Sequence, residues 1–310
     1  MVEILAVIVP LYVLVALGVA AGRMRAFGNA AGALNAFIYW FALPAFIFDL
    51  IMRSPDDLNL PLSFMLIPLL GTALFAVVIW AFAWFTGNKR RAGQIAMAGA
   101  FGNVGYFAFP VILSVLGQQI ALAMAVANII HNLIFMIGYP IYASLTNREE
   151  GQLRRALIKA VPTNPIILSV LPALIVLLLG WELPEILLAP ITLLGQSVIP
   201  VAMFTIGLSL APAIKELLRG GFSFSVLSGT IVAKLIGLPV ATWVLIQLFA
   251  PDMESLLQAV LILMAASPTS VSSFTFVEEF ESDGRFVAAV IAVTTALALV
   301  TVTAIGGLIG

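Results

Sequence analysis

The sequence predicts an all-α membrane protein of ten transmembrane helices, built as two inverted five-helix repeats. Three observations carry that reading. Hydrophobic residues make up 62% of the chain and charged residues only 9%, whereas a soluble domain is about a quarter charged. So few charges cannot cover a surface facing water, so most of the surface must face hydrocarbon. The apolar residues also fall into runs of membrane-spanning length. Lys and Arg, finally, gather in every second loop.

A helix needs roughly 20 apolar residues to cross the hydrocarbon core. That ruler gives spans at 4–22, 33–52, 61–86, 93–117, 119–145, 162–180, 187–211, 221–249, 256–280 and 285–309. The closest split is between the fourth and fifth, which only Gly117, Gln118 and Gln119 separate. Of the 14 basic residues, twelve lie in loops after odd-numbered spans, one (Arg53) in a loop after an even-numbered span, and Lys234 within a span. Basic loops stay in the cytoplasm, so both termini are expected outside. The other loops are acidic, with Asp56, Asp57, Glu182, Glu185, Asp252 and Glu254. Trp40, Trp80, Trp84, Trp181 and Trp243 fall mostly toward span ends and read as interfacial anchors.

The prolines suggest a duplication. Pro10 matches Pro165 at an offset of 155, Pro44 matches Pro200 at 156, and Pro110 matches Pro268 at 158. Around the second pair LPAFIF at 43–48 parallels IPVAMF at 199–204. The first repeat covers 1–145, a basic linker 146–161, and the second repeat 162–310. Five spans per repeat is an odd number, so the copies are inverted, an arrangement of transporters that hold substrate near the midplane.

The fourth span reads MAGAFGNVGYFAFPVILSVLG and the ninth LMAASPTSVSSFTF. Proline removes a backbone donor and clashes with the preceding turn, and glycine eases unwinding. Both helices are expected to break at mid-membrane and face the interior, where protein can satisfy the freed groups. Two half-helix N-termini meeting there would attract an anion. Asn103, Thr269 and Ser270 offer hydrogen bonds to it. The plainer alternative is a pair of proline kinks.

Lys234 lies at the centre of the eighth span. A charge there costs at least ~2.5 kcal/mol on insertion scales, so it should face inward and have a partner. It reads equally as a counter-charge for an anionic substrate, as a cation standing in for a coupling ion, or as a structural pin to a carbonyl or carboxylate. His131, the only histidine, shares a helix face with Asn128 and Asn132. That face either lines a transport path or bonds a neighbouring helix. Asp49 lies near the outer end of the second span, and Glu278, Glu279, Glu281 and Asp283 at the cytoplasmic end of the ninth. With no Cys and one His, thiol chemistry and Cys- or His-rich metal sites are excluded. No cofactor, metal or nucleic acid is implied, and no Ser/His/Asp set, HExxH or paired catalytic aspartates point to an enzyme.

GNVGYFAFP at 102–110, NPIILSVLPALIVLLLG at 164–180, IPVAMFTIGLSL at 199–210 and AASPTSVSSFTFVEEF at 265–280 resemble a bacterial member of the auxin efflux carrier family. That group includes plant auxin carriers and malate/malonate permeases. The resemblance covers the whole chain. It implies a sodium/proton antiporter-like fold with crossing broken helices four and nine. It also implies a scaffold of spans 1, 2, 6 and 7, a mobile domain of spans 3–5 and 8–10, elevator-like transport, a homodimer and a bacterial inner membrane. The family's crossover residues map onto Asn103, Pro110 and Pro268. Plant members have a long cytoplasmic loop between the halves, and this chain has none. The candidate substrate-binding set is Asn103, Tyr106, Pro110, Asn128, His131, Lys234, Pro268, Thr269 and Ser270. The expected function is secondary transport of a small organic anion such as a carboxylate. The alternatives are a sodium-coupled bile-acid-type symporter of the same fold and a membrane receptor or channel that carries nothing.

Overall fold

A computed structural model describes residues 2–53, 60–147, 165–181, 183–281 and 284–309. Most of the linker 146–161, the acidic positions Asp56, Asp57, Glu182 and Asp283, and the side chains of Glu279 and Glu281 lie outside the described residues. The described chain is helical throughout its ordered elements. Its main helices are α1 (Val2–Ala21), α2 (Ala30–Met52), α3 (Leu62–Phe85), α4 (Ala92–Ala100), α5 (Val104–Leu116) and α6 (Ala121–Asn147). The rest are α7 (Pro165–Leu178), α8 (Glu185–Arg219), α9 (Phe224–Phe249), α10 (Ser255–Ala265), α11 (Val271–Glu281) and α12 (Arg285–Ile309). Among the described residues five helices are long and apolar enough to cross a bilayer, and the bent α12 makes six. The protein is a multi-pass membrane protein.

The fourth and ninth predicted spans are each interrupted. The fourth is divided into α4 and α5 at Phe101–Asn103, and the ninth into α10 and α11 at Ala266–Ser270. Pro110 is not at the first interruption. It lies within α5, at the start of that helix's regular α-helical part, after a π-helical turn at Val104–Ala108. The missing N–H of a proline is tolerated there, and the unwinding falls on the Gly-Asn pair upstream. Prolines follow or sit in wide turns elsewhere too: π-turns at Ile38–Ala42, Ile67–Gly71 and Ala233–Gly237 carry Pro44, Pro68 and Pro239 at or just after them. Gly117, at φ +88°, closes α5 and lets the chain turn into α6. That separates the fourth and fifth predicted spans.

α8 is the hub of the packing, in contact with α1, α2 and α12. α1 lies along α8, and α7 lies on α2. Gly18 faces Gly207, and Gly22 faces Ala211, so α1 and α8 run in the same direction. Small residues allow this approach, as is usual where helices pack in hydrocarbon without a hydrophobic drive. α8 is 35 residues long against 23 for α2. At 1.5 Å per residue it spans about 52 Å, well beyond the ~30 Å hydrocarbon core. Its polar last turns carry Lys215, Glu216 and Arg219, with Arg219 bonded to Glu216. The C-terminal end of α2 is held to α8 by a small polar set. The Thr192 hydroxyl donates to Asp49 Oδ1 at 2.6 Å, and Arg53 Nε lies 3.1 Å from the same oxygen. Asp49 is thus engaged between helices rather than free.

The core is divided by height. One apolar cluster takes Ile79, Ala92, Met97, Phe101, Phe135, Val277, Phe286 and Val290. A second takes Ile67, Phe107, Ile112, Met124, Val260, Leu263 and Ala298, together with residues of α1, α2, α7 and α8. Along α3, α6 and α12 the chain passes from one cluster to the other. Between the two lies a buried polar layer: Asn103, Asn128, His131, Lys234, Ser267, Thr269, Ser270, Thr294 and Thr295. Buried polar groups in hydrocarbon are expensive unless paired, so this layer is where the fold concentrates its polar chemistry.

Candidate functional site

The two interruptions touch. Gly102 and Thr269 form an isolated antiparallel bridge. The Asn103 N–H donates to the Pro268 carbonyl at 2.8 Å, and the Ser270 N–H donates to the Phe101 carbonyl at 2.9 Å. Two unwound, buried backbones thus satisfy each other, as buried polar backbone groups require. α12 and α4 complete the joint. The Thr269 N–H donates to Thr294 Oγ1 at 3.1 Å, and the Thr269 hydroxyl donates to the Ala98 carbonyl at 2.7 Å. The Thr269 hydroxyl is therefore committed to the joint. Thr294 was not among the residues singled out from sequence, although Thr294 and Thr295 are the only polar pair in an otherwise apolar stretch of α12.

The two half-helix N-termini differ. The first turn of α11 is closed by Ser270, whose Oγ accepts from the Ser272 N–H at 3.3 Å and whose carbonyl accepts from the Ser273 N–H at 3.0 Å. α5 has no side-chain cap. Its first satisfied donors are Phe107 and Ala108, both bonded to the Asn103 carbonyl. The N–H groups of Val104, Gly105 and Tyr106 have no partner among the described residues. These are the orphan donors every helix start leaves; here Val104 is buried and Gly105 and Tyr106 are half-buried. The two ends expected from sequence are thus unequal: Ser270 satisfies two donors at the start of α11, whereas the first three at the start of α5 are left open.

Asn128 faces that end. A Cβ added at Gly105 would lie 3.6 Å from Asn128 Oδ1 and 3.7 Å from Nδ2. Asn128 is fully buried, and its Nδ2 has no hydrogen-bond partner. Its Oδ1 accepts from Asn132 Nδ2 at 2.7 Å, which fixes the amide with its donors pointing elsewhere. The Asn103 carboxamide has no recorded partner either, on a residue only 2% exposed. Leu43 of α2 lies 3.8 Å from the same Gly105 position. Tyr106 is half-buried against the α2-side apolar cluster. The open donors therefore sit where α5 meets α2.

His131 and Lys234 lie beside Gly102, two residues before the first open donor. His131 Nε2 accepts the Gly102 N–H at 2.9 Å. An accepting Nε2 leaves the proton on Nδ1, which has no partner. Lys234, 0% exposed, donates to the carbonyl of Ala265, the last residue of α10, at 2.7 Å. Among the described residues no carboxylate pairs with it. Lys234 is thus pinned to a helix C-terminus, beside Gly102 in the facing break. Of the sequence-derived set, Asn103, Tyr106 and Asn128 gather at the α5 end, Pro268, Thr269 and Ser270 build the joint, and His131 and Lys234 back it. Pro110 is buried inside α5, where its carbonyl accepts from Ser114.

Gly102 is the tightest point. A methyl group there would overlap Ser267 Oγ and lie 3.3 Å from Lys234 Nζ and 3.4 Å from His131 Nε2. We expect Gly102→Ala to destabilise the protein by about 1–3 kcal/mol through overpacking, measured as a lowered Tm, and to abolish any activity that depends on the joint. Gly105→Ala meets only ordinary contacts and should leave Tm nearly unchanged.

Comparison with known proteins agrees with this architecture. Residues 3–305 match the family described as "Membrane transport protein". A Rhizobium meliloti protein named "Putative malonate transporter" is 28% identical over 310 residues, covering 98% of this chain and 95% of that protein. "Uncharacterized transporter MJ1031" of Methanocaldococcus jannaschii is 21% identical over 278 residues, covering 87% and 86%. "Uncharacterized transporter YfdV" of Escherichia coli K12 is 25% identical over 214 residues, covering 66% and 68%. With the match running almost end to end, the chain belongs to this family of membrane transporters, the auxin efflux carrier family.

Proposed function

We propose that the protein is a secondary carrier of a small organic anion, a mono- or dicarboxylate, and that the carboxylate binds at the open start of α5. The observation that carries this reading is a set of donors at one place with no partner among the described residues: the N–H groups of buried Val104 and half-buried Gly105 and Tyr106, and the buried Asn128 Nδ2. A helix N-terminus with free N–H groups favours negative charge. The malonate in one relative's name agrees with that chemistry.

The carrier reading also takes in the ten-span inverted repeat and an elevator motion. Exchanging each of the first five spans for its partner in the second half turns the α1–α8 pairing into the α7–α2 pairing. Both pairings occur, which supports that reading. The apolar cluster around Phe101 draws only on α3, α4, α6, α9, α11 and α12 and their loops, with nothing from α1, α2, α7 or α8. That division fits a moving body carried against a scaffold, with the α5 site at their boundary beside Leu43. An inside-negative potential drives anion exit by about 2.3 kcal/mol per charge per 100 mV, so export needs no coupling ion.

The test is counterflow with purified protein in proteoliposomes, using labelled malonate and a panel of small carboxylates, with sodium or with choline as the only monovalent salt. Saturable counterflow in both salts is expected. Counterflow only in sodium would favour a coupled symporter, and none with any carboxylate would refute the assignment.

A further inference from the structure

The joint gathers helix ends of both signs. The open N-terminus of α5 brings partial positive charge, whereas α4 and α10 end there in C-terminal carbonyls that carry partial negative charge. In carriers with interrupted helices, such carbonyl ends and unwound backbone are where a sodium ion or proton is held. In this protein that position is filled. The Lys234 ammonium donates to the Ala265 carbonyl at the end of α10 and lies beside Gly102 in the facing break. The Ser267 hydroxyl, which overlaps the same Gly102 position, is buried without a partner. Carbonyl and hydroxyl oxygens are the hard ligands a small cation takes. Buried and without a carboxylate partner, an ammonium there is balanced by the helix ends themselves.

We infer that Lys234 is a tethered substitute for an exchangeable monovalent cation, and that removing its side chain opens a monovalent-cation site at the end of α10. The side chain comes from α9, whose π-turn Ala233–Gly237 presents it to the joint. Only the description of that cation as a coupling ion rests on the carrier reading. The binding itself does not, and it is measured below without any transport.

The experiment compares melting of wild type, Lys234→Ala and Lys234→Gln in choline, sodium and ethylammonium chloride at equal ionic strength, with no carboxylate present. Wild type should melt at the same temperature in all three. Lys234→Ala should melt lower in choline and recover by roughly 5 °C in saturating sodium or ethylammonium, since a ligand that binds only the folded form raises Tm. Lys234→Gln, which keeps a donor for Ala265 without the charge, should stay low in every salt. A wild type stabilised by sodium would overturn the inference. So would an Ala variant indifferent to cations or unfolded in all three salts, and so would a Gln variant as stable as wild type. Loss of carboxylate counterflow in wild type would sink the carrier reading and leave this result standing.

Discussion

Asn128→Asp should abolish carboxylate counterflow while leaving the folded protein intact. The substitution is nearly isosteric, and it keeps the Oδ1 that accepts from Asn132 Nδ2. The helix-internal contact therefore survives. What changes is the other half of the amide. The unpartnered Nδ2 beside the first turn of α5 becomes a second carboxylate oxygen, and a donor for an anion becomes a repeller of one. Like charges brought together at a dry site cost several kcal/mol, so affinity should fall by at least about 100-fold, at 1.4 kcal/mol for each factor of ten. Melting and counterflow measured on one preparation check this. A variant that folds and transports at the wild-type rate would remove Asn128 from the site.

The largest effect on stability is expected at Gly207. A methyl there would overlap the Val15 carbonyl oxygen and lie 2.8 Å from Gly18 Cα, and one at Gly18 would overlap the Phe204 carbonyl oxygen. These obstacles are backbone atoms, which cannot turn aside as a side chain can. Gly207→Val would have to push α8 off α1 along one of the main helix pairings of the fold. The cost should reach roughly 3 kcal/mol or more, seen as loss of a monodisperse peak or a strongly lowered Tm. Gly138→Ala is the contrast. Nothing lies within 4 Å of that position in α6, and replacing a helical glycine by alanine should stabilise by up to about 1 kcal/mol.

Much of this could be read from the residues alone. A Gly-Asn pair and a Ser-Pro-Thr-Ser stretch inside apolar runs announce interruptions, because each lowers the cost of unwinding or removes a ladder bond, and both interruptions are there. Within the first stretch the glycine and asparagine mark the break more closely than the proline: proline is comfortable in the first turn of a helix, and the chain unwinds upstream of Pro110 at Gly102 and Asn103. The partner of Lys234 was invisible for a different reason: a backbone carbonyl has no letter in the sequence, so the contact with Ala265 can be seen only once the helices are placed. The same holds for the cap that Ser270 puts on α11, which leaves α5 as the more open end. The apolar ruler ended the seventh span at residue 211, whereas α8 continues to Arg219. That ruler measures contact with hydrocarbon, and a helix does not stop where the hydrocarbon does.

The most direct test of the paired-break site is a crystal of the protein with a bromine-labelled carboxylate, bromomalonate or the analogue of whichever acid counterflow selects. The anomalous bromine peak should place the carboxylate within hydrogen-bond reach of the Val104, Gly105 and Tyr106 N–H groups and of Asn128 Nδ2. A carboxylate found instead against Lys234 Nζ would contradict the account.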